Sequence, residues 1–359
     1  VQFRNLLKKK IPLALATIIE TKGSTPQVEG ASALFSSEGL LKGTLGGGLL
    51  EANAQKKTLQ SLEKKQSLLY EFSLKADISS KDEAICGGEV KILIDASPQE
   101  HQDAWSSLSH SLAQKKPGVL ATFINSISEE KASLWRYWID RGEKPEADLG
   151  KHSALFRKEV KKALTEGKPS LLKIKEKIFP VKGKESLLFL EPLFPLPHLV
   201  IAGAGHVGQA VAHLGSLLDF EVTVIDDRPE FANRERLPDA DQVIVADFEK
   251  AFQNLPITSD TYLVIVTRGH SHDETVLRQC IASEAAYIGM IGSARKIELM
   301  RKKFLEEGWA KAAQFNRVYA PIGIPIQSKT VEEIAVSVAA QLVLVRSQVK
   351  DKTKGLIRS

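Results

Sequence analysis

Cysteine is nearly absent from this sequence: Cys86 and Cys280 are the only two among 359 residues. They lie far apart and without framework spacing, which excludes a disulfide scaffold and fits a reducing compartment. A cytoplasmic location is the expectation. Long apolar runs are also missing. The richest, IAVSVAAQLVLV, stops at Arg346, short of the roughly 18 residues that cross a bilayer, and reads as a buried helix. No membrane association is expected. The first residues, VQFRNLLKKK, lack the uninterrupted apolar stretch and cleavage site of a secretory signal, so export is not expected either. Zinc-type spacings are lacking too, with neither CxxC nor HExxH and with scattered histidines. Positive charge is not concentrated: the net charge of +5 comes from lysines spread along the chain with acids interleaved. Such charges read as solvated helix faces, which argues against a nucleic-acid partner.

What is present is ordinary globular material, 43% hydrophobic and 26% charged, in a chain long enough for two cores. The segment EPLFPLPHLV, with Pro192, Pro195 and Pro197, reads as a linker. It divides an N-terminal domain over 1–193 from a C-terminal domain over 194–359. The first half mixes strand-like runs (LALATIIET, KILIDA, GVLATFINS, SLWRYWID, SLLFLEPL) with a few helices in no regular order, as in an α+β domain. The second half alternates short, wholly apolar strands (HLVIAGAG, EVTVID, QVIVAD, TYLVIVT, YIGMIG) with helical stretches. That pattern specifies an α/β fold, a Rossmann-type parallel sheet with helices on both faces.

The run GAGHVG sets Gly203, Gly205 and Gly208 between the strand HLVIA and an amphipathic helix. The first glycine permits a tight turn, the second lets the backbone approach a phosphate, and the third lets helix and strand pack closely. The helix N-terminus then offers unpaired N–H groups to an anion. Asp226, about 20 residues on at the end of EVTVID, is the first choice for accepting hydrogen bonds from a ribose diol. Arg228 beside it leaves NAD and NADP undecided, and a Rossmann shell that binds no nucleotide is the plain alternative. His206, inside the loop, reads as packing on neighbouring backbone before it reads as a phosphate contact.

A second glycine cluster, Gly46, Gly47 and Gly48, precedes a helix whose first turn carries Glu51 and forms a second candidate anion cradle. A tight turn with no ligand is its alternative. Cys86 is followed by Gly87 and Gly88. A thiol beside exposed N–H groups suits a nucleophile, a sulfur carrier or a soft-metal ligand, with a buried inert cysteine as the usual alternative. Cys280, in VLRQCIA, reads as helix core. Thr267, Gly269, His270, His272 and Asp273 stand at the C-terminal end of the strand TYLVIVT, where open α/β sheets place ligand groups. Asp273 reads equally as an N-cap, with Ser271 as its competitor. Gly289, Gly292, Ser293, Arg295 and Lys296 stand at another strand end and add positive charge and a hydroxyl to the same rim.

Taken in order, GSTP, GTLGGGLLE, CGGEV, GAGHVG, VIDDRPEFAN, TRGHSHD, GMIGSARK and PIGIPI closely resemble the xanthine dehydrogenase accessory (XdhC/CoxI) family over nearly the whole chain; the stretch from about Ser97 to Lys184 carries no signature. The resemblance implies a carrier rather than a metabolic enzyme. Such a protein binds molybdopterin transiently, supports its sulfuration by a cysteine desulfurase and delivers it to a molybdenum hydroxylase apo-enzyme, with Cys86 at the sulfur or metal end. Ile85 and Leu49 stand where many relatives have a further cysteine, and Gln327, Ser328 and Val331 stand where Gly, Ala and Pro are expected. Two other classes remain: an NAD(P)-dependent oxidoreductase with His270 as acid/base, and a nucleotide-sensing module. A homodimer is the expected assembly on frequency alone.

Overall fold

The computed structural model describes residues 11–74, 87–128, 131–140, 153–174, 185–253 and 255–356. The chain forms two compact units that divide between Pro195 and Leu196.

The N-terminal unit stacks two antiparallel sheets between helices. The first sheet runs β3-β2-β1-β5-β4, from β1 (Leu13–Lys22), β2 (Ser32–Ser36), β3 (Gly39–Gly43), β4 (Leu68–Ser73) and β5 (Glu89–Asp95). The second runs β7-β6-β9-β8, from β6 (Gly118–Ser128), β7 (Lys131–Asp140), β8 (Ser170–Lys173) and β9 (Glu185–Leu193). Strand alternation assigns the layers. Ala14, Ala16 and Ile18 of β1 pack with Leu50 and Ala54 of helix α1 (Gly48–Lys64). The alternate residues Leu13, Leu15 and Ile19 face the second sheet, where they meet Leu120, Ile124 and Phe189. The outer face of that sheet is covered by α3 (Ser153–Glu166) through Phe156, Val160 and Ala163, and α2 (Gln102–Ala113) adds Trp105 between the sheets. A strand buried on both faces carries no polar alternation, so β1 and β6 read as mostly apolar runs, interrupted by buried Thr17, Thr122 and Asn125. Burying each large side chain contributes about 1.5–3 kcal/mol.

Pro192, assigned to the linker from sequence, lies inside β9 opposite Val119. Among the described residues the pairing of β8 with β9 ends at Leu190, so beyond it β9 is an edge on that side, the kind of position in which a sheet tolerates proline.

The C-terminal unit is a five-stranded parallel sheet in the order β12-β11-β10-β13-β14. Its strands are β10 (His198–Ala202), β11 (Glu221–Asp226), β12 (Gln242–Val245), β13 (Thr261–Ile265) and β14 (Tyr287–Met290). Helices α4 (His206–Leu217) and α8 (Val331–Leu356) cover one face, with Val211, Val338 and Leu342 against Leu199, Val222 and Val264. Helices α5 (His270–Cys280) and α6 (Ala294–Glu306) cover the other, with Val276, Leu277 and Met300 against Val200, Ile225 and Leu263. A short turn of helix, α7 (Ala312–Phe315), follows α6. The strand order reverses between β10 and β13, the position at which open α/β sheets form a crevice beyond their carboxyl ends.

Candidate functional site

In the N-terminal unit three loops meet at one end of the first sheet. The chain leaves β1 at Lys22 and turns through Gly23, Ser24, Thr25 and Pro26. Gly88, just before β5, lies so close to this turn that a Cβ there would collide with the carbonyl oxygens of Ser24 and Lys22. A Cβ on Gly46, whose φ is +112°, would stand 2.8 Å from Pro26 Cγ. The GSTP, triple-glycine and CGG segments, remote in sequence, are thus fitted to one another through two glycines that tolerate no side chain. Gly47 and Gly87 face open space, as does Gly48 at the start of α1. Cys86 lies outside the described residues, as does Ile85.

The triple-glycine loop is not an empty cradle. Glu51, one turn into α1, reaches back and accepts from Thr44 Oγ1 at 2.6 Å, Leu45 N at 3.0 Å and Gly47 N at 3.4 Å. The hydrogen bonds from Thr44 and Leu45, with a smaller one from Gly47, hold its carboxyl below the ordinary value against a modest effect of burial. Glu51 therefore serves as the loop's internal anion. Sequence alone does not single out Thr44, its strongest donor; the available signal is a hydroxyl seven residues before a first-turn acid. Leu49 is 52% exposed on the same turn.

In the C-terminal unit the glycine fingerprint has the expected division of labour. A Cβ on Gly203 (φ +116°) would strike the Val266 carbonyl, and one on Gly208 would strike the Gly203 carbonyl oxygen. Gly205, the N-cap of α4, faces open space and leaves the start of the helix approachable. His206 is exposed at the first helical position.

Asp226 is buried, and both of its oxygens already have protein donors. Oδ2 accepts from Ala204 N at 2.7 Å and from Arg228 Nη2 at 3.0 Å, and Oδ1 from Arg228 Nε at 2.8 Å and Arg228 N at 3.1 Å. Burial acts to raise its pKa, but the Arg228 side chain and the Ala204 and Arg228 amides outweigh it and hold the carboxyl low. Here the acid ties the glycine loop to β11, so a ribose would have to displace Arg228. That arginine also stacks on Phe231 at 3.8 Å. In the sequence Arg228 is a specificity cue; in the structure it is committed to Asp226, two residues away. Asp227 in turn holds Arg268, Oδ2 to Nη2 at 2.7 Å.

Across the crevice, Asp273 is buried and fully engaged. It accepts from Thr267 N at 3.1 Å and Thr267 Oγ1 at 2.6 Å, and it pairs with Lys296 Nζ at 2.5 Å. The cap reading is corrected: α5 starts at His270 with Gly269 as an N-cap that has no side-chain bond, so neither Asp273 nor Ser271 caps it. Asp273 instead links the end of β13 to α6. Gly292 precedes Ser293, which caps α6 by accepting from Lys296 N at 3.3 Å, and His270, Ser293 and Arg295 are exposed at this rim. The fold therefore brings Gly203, Gly205, Asp226, Thr267, Gly269 and Ser293 to the carboxyl ends of neighbouring strands. His272 packs at a tilt against Phe248, with ring centroids 5.4 Å apart. Cys280 is wholly buried and its thiol is pushed up to about 12 by desolvation, so it is chemically inert. Among the described residues no group of three or more His, Cys, Asp or Glu side chains is placed to hold a metal ion, and no helix is long and apolar enough to cross a membrane.

Two family descriptions match these units, "XdhC and CoxI family" over residues 6–73 and "XdhC Rossmann domain" over residues 199–342. The chain belongs to the XdhC and CoxI family. Within that family, it is 26% identical over 349 residues to a protein of Bacillus subtilis described as a probable subunit of xanthine dehydrogenase, covering 96% of both chains. It is 24% identical over 152 residues to the molybdenum cofactor insertion chaperone PaoD of Escherichia coli, covering 42% of this chain and 41% of that one. A crystal structure described as a xanthine dehydrogenase from Bacillus halodurans superimposes with a TM-score of 0.72 at 24% identity, over 97% of this chain and 95% of that one. That likeness shows a shared fold.

Proposed function

We propose that this protein is a maturation factor that binds the molybdenum cofactor, supports its sulfuration by a cysteine desulfurase, and hands it to the apo-enzyme of a xanthine dehydrogenase-type molybdenum hydroxylase. The observation that carries the reading is the fitting of Gly46 and Gly88 onto the Gly23–Pro26 turn. A delivery protein must hold a large ligand without reacting irreversibly with it, and a backbone-lined loop cluster next in sequence to a thiol supplies that combination. Cys86, one residue before Gly87, gives the soft donor for the sulfur or metal end. Taken by itself, the C-terminal unit offers an open approach at Gly205 and a start of α4 that suit a phosphate-bearing ligand. The names of the relatives, one a cofactor insertion chaperone and the other a component of xanthine dehydrogenase, support the cargo and the client.

An NAD(P)-dependent oxidoreductase using His270 fits less well, because Arg228 already occupies the acid that a nicotinamide dinucleotide's ribose would use. On the proposed reading the protein works in the cytoplasm as a homodimer, which sedimentation of the purified chain tests. The function itself is tested by activating a molybdenum-free hydroxylase with cofactor supplied through this protein. Activation by wild type and its loss with Cys86→Ala is the expected result; equal activation with and without the protein overturns the proposal.

A further inference from the structure

The N-terminal unit contains a second feature that the loop cluster does not use. Between its two sheets, at the end where β1 and β2 face β6 and β9, lies a cavity of about 270 Å³. Its apolar walls are Leu15, Leu34, Leu120 and Leu193, with Lys42 and Gly43 of β3 along one side, and the indole of Trp105 is fixed by its N–H to the Pro98 carbonyl at 2.7 Å. Into this apolar space the second sheet sends Glu191, opposite Leu120 on β6, and Arg136 of β7.

The two charges are not equivalent. Arg136 is committed elsewhere: its guanidinium pairs with buried Asp95 at 3.3 Å and lies over the Trp105 ring at 5.0 Å. Glu191 is not. Among the described residues no donor lies within hydrogen-bond distance of its carboxylate, and desolvation pushes its carboxyl up to about 7 with Arg136 pulling the other way. Glu191 is partly exposed, so its carboxylate faces the open pocket and not a sealed core; beside apolar walls and without a protein donor, it marks a place where a ligand supplies one. Thr17 and Ser32, joined Oγ1 to Oγ at 3.0 Å, offer hydroxyls on the opposite wall.

The complementary ligand has a flat, largely apolar body and two adjacent N–H donors on one edge, matching both oxygens of a carboxylate. Its volume must suit a pocket just below the usual range of about 300–1,000 Å³, which selects a bicyclic heterocycle over a dinucleotide. We propose that this cavity seats the bicyclic head of a pterin, with Glu191 accepting from the ring N3–H and the 2-amino group and Trp105 forming a wall of the slot. The inference rests on the cofactor-carrier reading and assigns it a recognition subsite; the thiol remains for the metal end.

The test is a fluorescence titration of the full-length protein with 6-hydroxymethylpterin and, in parallel, with lumazine, whose 2-oxo group removes the amino donor. Wild type should bind the pterin at least about tenfold more tightly than lumazine, since an unmatched buried acceptor discriminates strongly. Glu191→Gln, which keeps the shape and folding of the strand, should erase that preference. Equal affinity for the two compounds in wild type, or an unchanged preference in Glu191→Gln, overturns the pterin subsite. Retention of the complete cofactor, measured on the same two proteins, separates this from the carrier reading. Cofactor held equally by both sinks the subsite and leaves the carrier standing, whereas a Glu191-dependent pterin preference with no cofactor retained sinks the carrier and leaves the subsite.

Discussion

Both units place a glycine-rich turn between a strand and a helix, and both set an acid nearby, yet the two acids do different work. In the N-terminal unit Glu51 folds back into its own loop and satisfies the Leu45 and Gly47 amides. In the C-terminal unit Asp226 takes one amide of the glycine loop, that of Ala204, and spends its remaining capacity on the Arg228 amide and guanidinium, and the start of α4 at Gly205 stays open. The first loop is filled from within and its glycines serve to fit neighbouring segments together. The second keeps an approachable helix start. A glycine motif therefore does not by itself announce a phosphate site; what decides is whether the protein supplies its own anion.

The sharpest way to break this comparison is to add methyl groups. Gly208→Ala places a carbon on the Gly203 carbonyl oxygen and should cost about 3–5 kcal/mol, near the upper end for single substitutions. Gly205→Ala meets nothing within 4 Å and should leave stability within about 0.5 kcal/mol. Urea unfolding of the two variants measures the difference, and comparable losses would show that Gly205 is packed rather than exposed to a ligand.

Next in size is the buried pair. Asp226→Ala leaves the Ala204 amide without its acceptor and Arg228 with the more distant Asp227 at 3.9 Å, and should cost about 3 kcal/mol. The pH dependence has a definite sign: a carboxyl held below its unfolded value contributes stability above roughly pH 4 and loses it as pH falls through the folded value. Wild type should lose this contribution in acid and the variant should show a shallower acid limb; a parallel loss in both would assign the tether no role. Smaller still, Glu51→Gln should cost about 1 kcal/mol, the worth of a helix-start acceptor bonded to backbone amides, and that cost should fade only as pH falls through the folded value of the wild-type carboxyl, which lies below the ordinary one. A cost independent of pH would contradict the picture of Glu51 as an internal anion.

The smallest expected effect is a gain. Gln327 has φ +61°, a conformation that costs a non-glycine residue about 1–2 kcal/mol, less roughly 0.5–1 kcal/mol of extra chain entropy for glycine. Gln327→Gly should therefore raise the melting temperature by a degree or two, and a lower value would show that the glutamine side chain has a compensating role. The position is one where the family resemblance leads one to expect glycine, and its backbone has the conformation that glycine favours.

Much of the C-terminal unit is legible because β10, β11 and β13 are buried on both faces, so their residues are apolar without interruption and the glycines between β10 and α4 have sterically forced roles. The N-terminal unit yields less. The hairpin of β2 and β3 passes through a Ser-Ser-Glu-Gly turn and puts Leu40 and Leu41 at the surface, which blurs the alternation that signals a strand. Helices α2 and α3 lie in the stretch without a signature. Asp273 stays open between cap and function in the sequence because a first-turn acid has the same appearance in either role; only the positions of Thr267 and Lys296 distinguish them. The cavity is invisible for a different reason: Glu191, Arg136 and Trp105 belong to three elements, and nothing in their spacing predicts that two sheets will bring them together.

The most direct test of the central claim is to incubate the purified protein with molybdenum cofactor, separate it from free ligand, and quantify the oxidised pterin that co-elutes, comparing wild type with Cys86→Ala. The account predicts that wild type retains the cofactor and that the variant retains distinctly less. Absence of pterin from both proteins would contradict it.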